Sequence, residues 1–175
     1  MENSNISEAL KRALDMEEKG YTFYKEMSEK SQSDITKKTF NFLADSEILH
    51  LETIKEFCDA LVQKGEFLSI DLSEKKGERD EGLKIFSKEI SELKEKIRPG
   101  DDDIKACEFA MEFEKEGYEF YTKMLNDVED KNLVKFLKFI VDEEKAHYDG
   151  LEKFHSYLGD SANWFMDEEG SFPQG

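Results

Sequence analysis

The sequence predicts an all-α protein: a four-helix bundle made of two duplicated helical hairpins, joined by a long crossover that contains a shorter helix. Three observations predict it. Only two prolines and ten glycines interrupt 175 residues, so helix is the default expectation. Apolar residues recur at alternating spacings of three and four, the period of a bundle seam. The chain also repeats itself, because residues 13–24, ALDMEEKGYTFY, lie over 110–121, AMEFEKEGYEFY, at an offset of 97. The same offset carries Asp45–His50 onto Asp142–His147, and Phe57 and Leu61 onto Phe154 and Leu158, without a gap. Two copies at so long a period indicate a duplicated hairpin rather than a solenoid.

The first helix carries the stripe Ile6, Leu10, Ala13, Glu17, Gly20, Tyr24 and Met27, with Asn5 and Glu8 as a capping box. Ser33-Asp34 is the start signal of the second helix, whose stripe is Phe40, Leu43, Glu47, His50, Ile54, Phe57 and Leu61. The crossover, 65–100, opens as a loop from Gly65 to Gly82 and then holds a shorter amphipathic helix through Leu83, Phe86, Ile90, Leu93 and Ile97. Its length lets the second hairpin pack in a direction that a simple up-down bundle does not allow. Pro99-Gly100-Asp101 breaks and restarts the chain, and the third helix repeats the first as Cys107, Ala110, Glu114, Gly117, Tyr121 and Met124. Asp130 caps the fourth helix, with the stripe Leu133, Leu137, Ile140, Glu144, His147, Leu151, Phe154 and Leu158. Helices of about 25 residues span about 37 Å. One domain is expected over about 1–160, with hairpins at about 6–64 and 101–158, followed by a C-terminal tail, 161–175.

Composition excludes several classes of function. There are 42 acidic against 25 basic residues, a net charge of −17. Nucleic acid and anionic membrane surfaces are therefore not expected as partners, since both require a positive face. With 38% hydrophobic and 12% aromatic residues, the chain has enough apolar material for a core and does not read as disordered. No uninterrupted apolar run exceeds three residues, so neither a membrane-spanning helix nor a secretory leader is expected. Cys58 and Cys107 form no C-x-x-C pair. They read as small core residues of a reducing cytoplasm, without a disulfide. A cytoplasmic homodimer is the expectation.

The seam is broken in the middle of every helix by polar residues. Glu17, Glu47, His50, Glu114, Glu144 and His147 all fall at core positions, and the step from Glu17 to Glu47 equals that from Glu114 to Glu144, 30 residues each. Burying one unpaired carboxylate costs several kcal/mol, so four in one layer need compensation. Two divalent cations supply it: four negative charges meet four positive ones, and the histidines stay neutral. Each Glu-x-x-His pair places both side chains on one helix face, a turn apart. A lone pair of this kind is weak evidence. Two at the same offset, each preceded by a seam Glu, predict a dinuclear metal site. Carboxylate and imidazole donors suit iron, manganese or a mixed pair better than thiophilic metals. Zinc in a purely structural site is the weaker option.

These residues resemble the ferritin-like di-iron carboxylate superfamily, in which two helices each give a Glu and two give Glu-x-x-His. The segments Glu-x-x-Gly-x-x-Phe-Tyr, at 17–24 and 114–121, and Leu-Ala-Asp-Ser-Glu-x-x-His, at 43–50, most resemble the rubrerythrin group. The resemblance covers about 6–64 and 101–158. It implies a ferritin-like bundle holding two iron ions on Glu17, Glu47, His50, Glu114, Glu144 and His147, which act catalytically through the metals. It also implies reduction of hydrogen peroxide or dioxygen. Two departures stand out. Rubrerythrins carry a further Glu one turn after the third-helix ligand, where this chain has Gly117, and they carry a four-cysteine rubredoxin-type iron site, where this chain has two cysteines in all. Electrons are therefore expected from an external donor such as a rubredoxin-like protein. The tail after 158 is too short for the fifth helix of ferritins, so a storage cage is not expected.

Weaker signals surround the site. Tyr24 and Tyr121 lie two turns past Glu17 and Glu114, and read either as core packing or as hydrogen-bond donors that orient a ligand carboxylate. Gly20 and Gly117 each cost about 1 kcal/mol in a helix interior relative to Ala. They leave room for water, dioxygen or peroxide, or else permit close helix approach. Glu143, a turn before His147, is placed to orient its imidazole, although Ser46 holds the matching position. His155, aligned with Cys58, reads as structural. Trp164 and Phe165 are expected to cover the bundle or a dimer contact, and the acidic runs 101–103 and 167–169 to be solvated. Two classes of function follow: a di-iron oxidoreductase of oxidative-stress defence, or a non-catalytic iron-binding or ferroxidase protein handling Fe(II).

Overall fold

The structure, a computed structural model, describes residues 3–64 and 101–159. Within them lie four helices: α1, Asn3–Lys30, α2, Asp34–Lys64, α3, Asp101–Asn126, and α4, Lys131–Gly159. The expected crossover helix and the tail with Trp164 and Phe165 lie outside the described residues. No helix among the described residues is long and apolar enough to cross a membrane.

The helix starts follow the local chemistry. The Ser33 hydroxyl accepts from the Thr36 amide at 3.4 Å, and its carbonyl accepts from Lys37 at 2.9 Å, so Ser33 caps α2 as expected. Asp130 Oδ1 accepts from the amides of Asn132 and Leu133, both at 2.9 Å, which caps α4 and satisfies amides that have no partner within the helix. α1 differs from expectation. It begins at Asn3, so Asn5 lies inside the first turn rather than at the cap, because no Gly or Pro nearby stops the helix earlier.

The α1–α2 turn is tied to the second hairpin. Ser31 donates its hydroxyl to Asp103 at 2.7 Å and accepts from the Ser33 amide at 3.0 Å. Asp103 is buried, which corrects the expectation that the acidic run 101–103 is solvated throughout. Asp102 remains exposed.

Contacts between the hairpins fix their direction. Phe23 packs on Phe109 and Tyr24 on Phe113, while Arg12 lies over Phe120. The numbers rise along α1 as they fall along α3, so these two helices are antiparallel. Phe57 against Phe136 and His50 against His147 make α2 and α4 antiparallel as well. In a simple up-down bundle the first and third helices run the same way, and here they do not.

Two apolar clusters fill the bundle, each with residues from all four helices. One gathers Ile6, Leu10, Ile54, Phe57, Tyr121, Leu133, Phe136 and Leu137. The other gathers Tyr24, Phe40, Leu43, Cys107, Ala110, Leu151 and Phe154. Between them the seam is polar. This excludes water from above and below the layer that holds the glutamates and histidines.

Candidate metal centre

All six seam residues converge. Glu17, Glu47, His50, Glu114, Glu144 and His147 are each no more than 3% exposed. Their donor atoms form two groups, each spanning no more than 4.8 Å: Glu17, His50 and Glu144, and Glu47, Glu114 and His147. Adding 97 to every first-hairpin residue of one group, and subtracting it from the second-hairpin member, yields the other group. Each group therefore takes a Glu and a His from one hairpin and the Glu-x-x-His glutamate of the other. Neither hairpin completes a group alone.

Individual distances follow the same pattern. His50 Nδ1 lies 2.9 Å from Glu17 Oε2 and 3.5 Å from Glu144 Oε1, and His147 Nδ1 lies 3.4 Å from Glu114 Oε2. The imidazoles stack with ring centroids 5.5 Å apart. The tyrosines cross over too. Tyr24 donates to Glu114 and Tyr121 donates to Glu17, so each phenol orients a carboxylate of the other hairpin. Of the two readings of these tyrosines, the hydroxyl hydrogen bond to a seam carboxylate is present, and it crosses between hairpins.

The protonation pattern is that of carboxylates and imidazoles crowded into one buried layer. Burial pushes the Glu47 and Glu144 carboxyls well above the ordinary range, and the nearby charges of Glu17 and Glu114 respectively push them further. Burial also acts to raise Glu17, but hydrogen bonding with Glu47, the charge and hydrogen bond of His50 and the Tyr121 donor together hold it below the usual value. Burial acts to lower His147, but the charge and hydrogen bond of Glu114 and the charges of Glu143 and Glu17 together raise it above the ordinary value. Like charges packed together keep protons that a cation would replace.

The orphaned lone pairs test whether metals fit. Glu47 Oε2, His50 Nε2, Glu114 Oε2, Glu144 Oε1 and both ring nitrogens of His147 are buried with no hydrogen-bond partner among the described residues. Most buried polar atoms have one. Four carboxylates and two imidazoles with donor atoms turned into one layer fit two divalent cations in number, charge and hardness.

Other expectations resolve differently. Gly20 and Gly117 do not leave vacant room: a Cβ at Gly117 would fall 2.5 Å from Glu144 Oε2, and one at Gly20 would fall 2.8 Å from Phe113 Cε1 and 3.2 Å from Glu47 Cδ. Glu143 is 1% exposed, and its carboxylate groups with both imidazoles, His50 and His147, within 4.8 Å. The single-sequence pattern pointed only to His147, because the spacing of one helix says nothing about α2. His155 is half-buried and sits 3.4 Å from Glu108 Oε1, away from the centre. Cys107 is buried, its thiol pushed up to about 12 by burial with a smaller push from Glu108, and Cys58 is half-buried.

Comparison with known proteins points the same way. No curated protein and no solved structure matches the chain. A family model does: the Rubrerythrin model matches residues 8–155, a span that contains all six seam residues and both crossed tyrosines. With most of the chain matched and a paired carboxylate–histidine layer at its centre, the protein belongs to the rubrerythrin family, a ferritin-like family of di-iron proteins.

Proposed function

We propose that the protein is a di-iron oxidoreductase that reduces hydrogen peroxide or dioxygen with electrons from an external donor. The observation that carries this is the exchange of Glu47 and Glu144 between the hairpins, which builds two equivalent three-donor groups side by side. Glu17, His50 and Glu144 would hold one iron, and Glu47, Glu114 and His147 the other. Iron bound there supplies the one-electron steps that amino-acid side chains cannot. The chain's own residues do the rest. Four carboxylates neutralise the cations, Tyr24 and Tyr121 keep Glu114 and Glu17 in place, and the apolar clusters above and below exclude bulk water. Both phenols stay protonated, and so keep donating to these carboxylates, because burial and neighbouring charge hold them well above the ordinary tyrosine value.

The donor is proposed as separate because the chain's two cysteines are too few for a four-cysteine iron site. The same fact favours the second reading, an iron-binding or ferroxidase protein that oxidises its own Fe²⁺ once and stops. Protein purified without air and loaded with two Fe²⁺ decides between them. On peroxide addition, sustained consumption with a rubredoxin-like donor and its reductase supports the enzyme. Consumption that ends after one equivalent, with the donor present, supports the binding protein. No reaction with peroxide or dioxygen removes the oxidoreductase.

A further inference from the structure

The glycines at 20 and 117 stand where an added Cβ would meet a neighbouring side chain at less than 3.0 Å, and each adds backbone freedom that a helix interior does not need. Neither has an unusual backbone angle, so conformation does not explain them. Their neighbours do. At Gly117 the three heavy atoms nearest to an added Cβ all belong to the Glu144 side chain, at 2.5, 3.2 and 3.8 Å. At Gly20 the Glu47 carboxyl carbon lies 3.2 Å from the same point, and the Phe113 ring lies closer, at 2.8 Å. Glu47 and Glu144 are the two glutamates exchanged between hairpins.

We infer that Gly117 and Gly20 are positioning residues for the metal centre: each missing Cβ is the seat of one exchanged carboxylate. Glu144 leaves α4 and lies against the α3 backbone at Gly117, and from that seat its Oε1 reaches to 3.5 Å from His50 Nδ1 in the other hairpin. A methyl group at 117 takes the place of Oε2, so the carboxylate must swing away and the group Glu17–His50–Glu144 loses a member. The group Glu47–Glu114–His147 uses the other seat and stays whole. The inference rests on the proposed two-metal centre and specifies how one half of it is held.

Gly117→Ala is the informative change, because its only close contact is the end of a flexible side chain. Gly150→Ala is the control: nothing lies within 4 Å of its added Cβ, and it occupies α4 within the same bundle. Replacing Gly by Ala in a helix interior favours the helix, so both metal-free variants are expected to melt at or above the wild-type temperature. Anaerobic titration of the whole chain with Co²⁺, followed by its visible absorption bands, reads the centre without any turnover. Wild type and Gly150→Ala are expected to bind two Co²⁺. Gly117→Ala is expected to bind the first as wild type does and the second at least roughly tenfold more weakly, the scale found when groups that orient metal ligands are lost. Gly20→Ala, combined with Phe113→Leu to relieve the ring, is expected to repeat that pattern at the other group. A Gly117→Ala protein that takes two Co²⁺ with unchanged affinity overturns the inference. So does one whose metal-free form melts lower while Co²⁺ binding is intact, since that is the signature of helix packing. A wild-type protein binding fewer than two Co²⁺ overturns the two-metal centre itself, a result distinct from either.

Discussion

Gly20 lies under the Phe113 ring as well as the Glu47 carboxyl, whereas Gly117, its counterpart in the second hairpin, meets only Glu144. The same kind of divergence recurs around the bundle. Phe109 packs on Phe23 at 4.9 Å, and the equivalent contact on the other side is Arg12 over Phe120 at 5.5 Å. Phe136 stacks on Phe57 at 4.3 Å, while Thr39, at the matching position, bonds back to the Ile35 carbonyl at 3.0 Å. Buried Glu143 stands where the first hairpin has half-buried Ser46. Against these differences, the six seam residues fall into equivalent groups, and both tyrosines cross to the other hairpin's carboxylate. Contacts that serve only burial tolerate exchange of one side chain for another of suitable volume. Donor atoms that must meet at a set separation do not.

The equivalence of the hairpins is tested hardest by deleting one exchanged carboxylate from each. Glu47→Ala and Glu144→Ala are both expected to lower loading from two metals to one or none, with activity down by more than the roughly 100-fold that loss of an orienting group costs. The metal-free proteins should melt at or above wild type, because a buried carboxyl group with an unpartnered oxygen leaves a crowded layer. Unequal metal loss between the two variants breaks the symmetry. A large fall in metal-free melting temperature makes the residues structural.

Metal removal and pH come next. In the metal-free protein Glu47, Glu144 and His147 hold raised values. Their stabilising protons are fully present below the unfolded values and are lost as pH rises through the raised ones. Glu17, lowered, acts in the opposite sense: its contribution exists above the ordinary glutamate range and is lost as pH falls through the lowered value. Above pH 4.5 the Glu17 contribution is constant, so the raised groups alone set the slope: the metal-free melting temperature is expected to fall as pH rises above 4.5, with His147 adding to the fall above 6.5. Metal affinity should rise over the same range, because the ligands bind deprotonated. Calorimetry with and without chelator checks both signs.

Tyr24→Phe and Tyr121→Phe are expected to weaken metal binding by roughly 10-fold each, and by similar factors, since each removes one crossed donor. Isothermal titration of the two variants in parallel would separate equal from unequal phenols. Glu143→Gln against Ser46→Ala sharpens the asymmetry: the first should shift the visible bands of the Co²⁺ protein and the second should leave them in place. The smallest effects belong to the outer contacts. Arg12→Ala is expected to cost about 0.5–1 kcal/mol, and Phe109→Ala about the same, because Phe109 is 61% exposed and its pairing with Phe23 adds only about 0.5–1.5 kcal/mol at most. Chemical denaturation resolves both, with metal loading unchanged.

Much of this was legible in the chain because helix periodicity is local. Of the seam residues whose burial the structure describes, only Met27 is less than buried, and the polar layer sits where the stripe is broken. The sequence pattern leaves the surroundings of Glu143 and the burial of Asp103 open for one reason: their neighbours lie on other helices. Asp103 is buried by the Ser31 turn, which is 72 residues away.

The repeat, the helix stripes, the caps at Ser33 and Asp130 and the membership of the six-residue layer were determined by sequence alone, since each depends on residues within a few turns or on a fixed offset. Tertiary structure decided the pairing: Glu144 with Glu17 and His50, Glu47 with Glu114 and His147, and each tyrosine with the other hairpin's carboxylate. The physical reason is that the antiparallel docking of α1 on α3 and α2 on α4 is set by the packing of two apolar clusters drawn from all four helices. A spacing of 30 within one hairpin fixes which face a glutamate occupies, but carries no information about which hairpin's histidine it will reach.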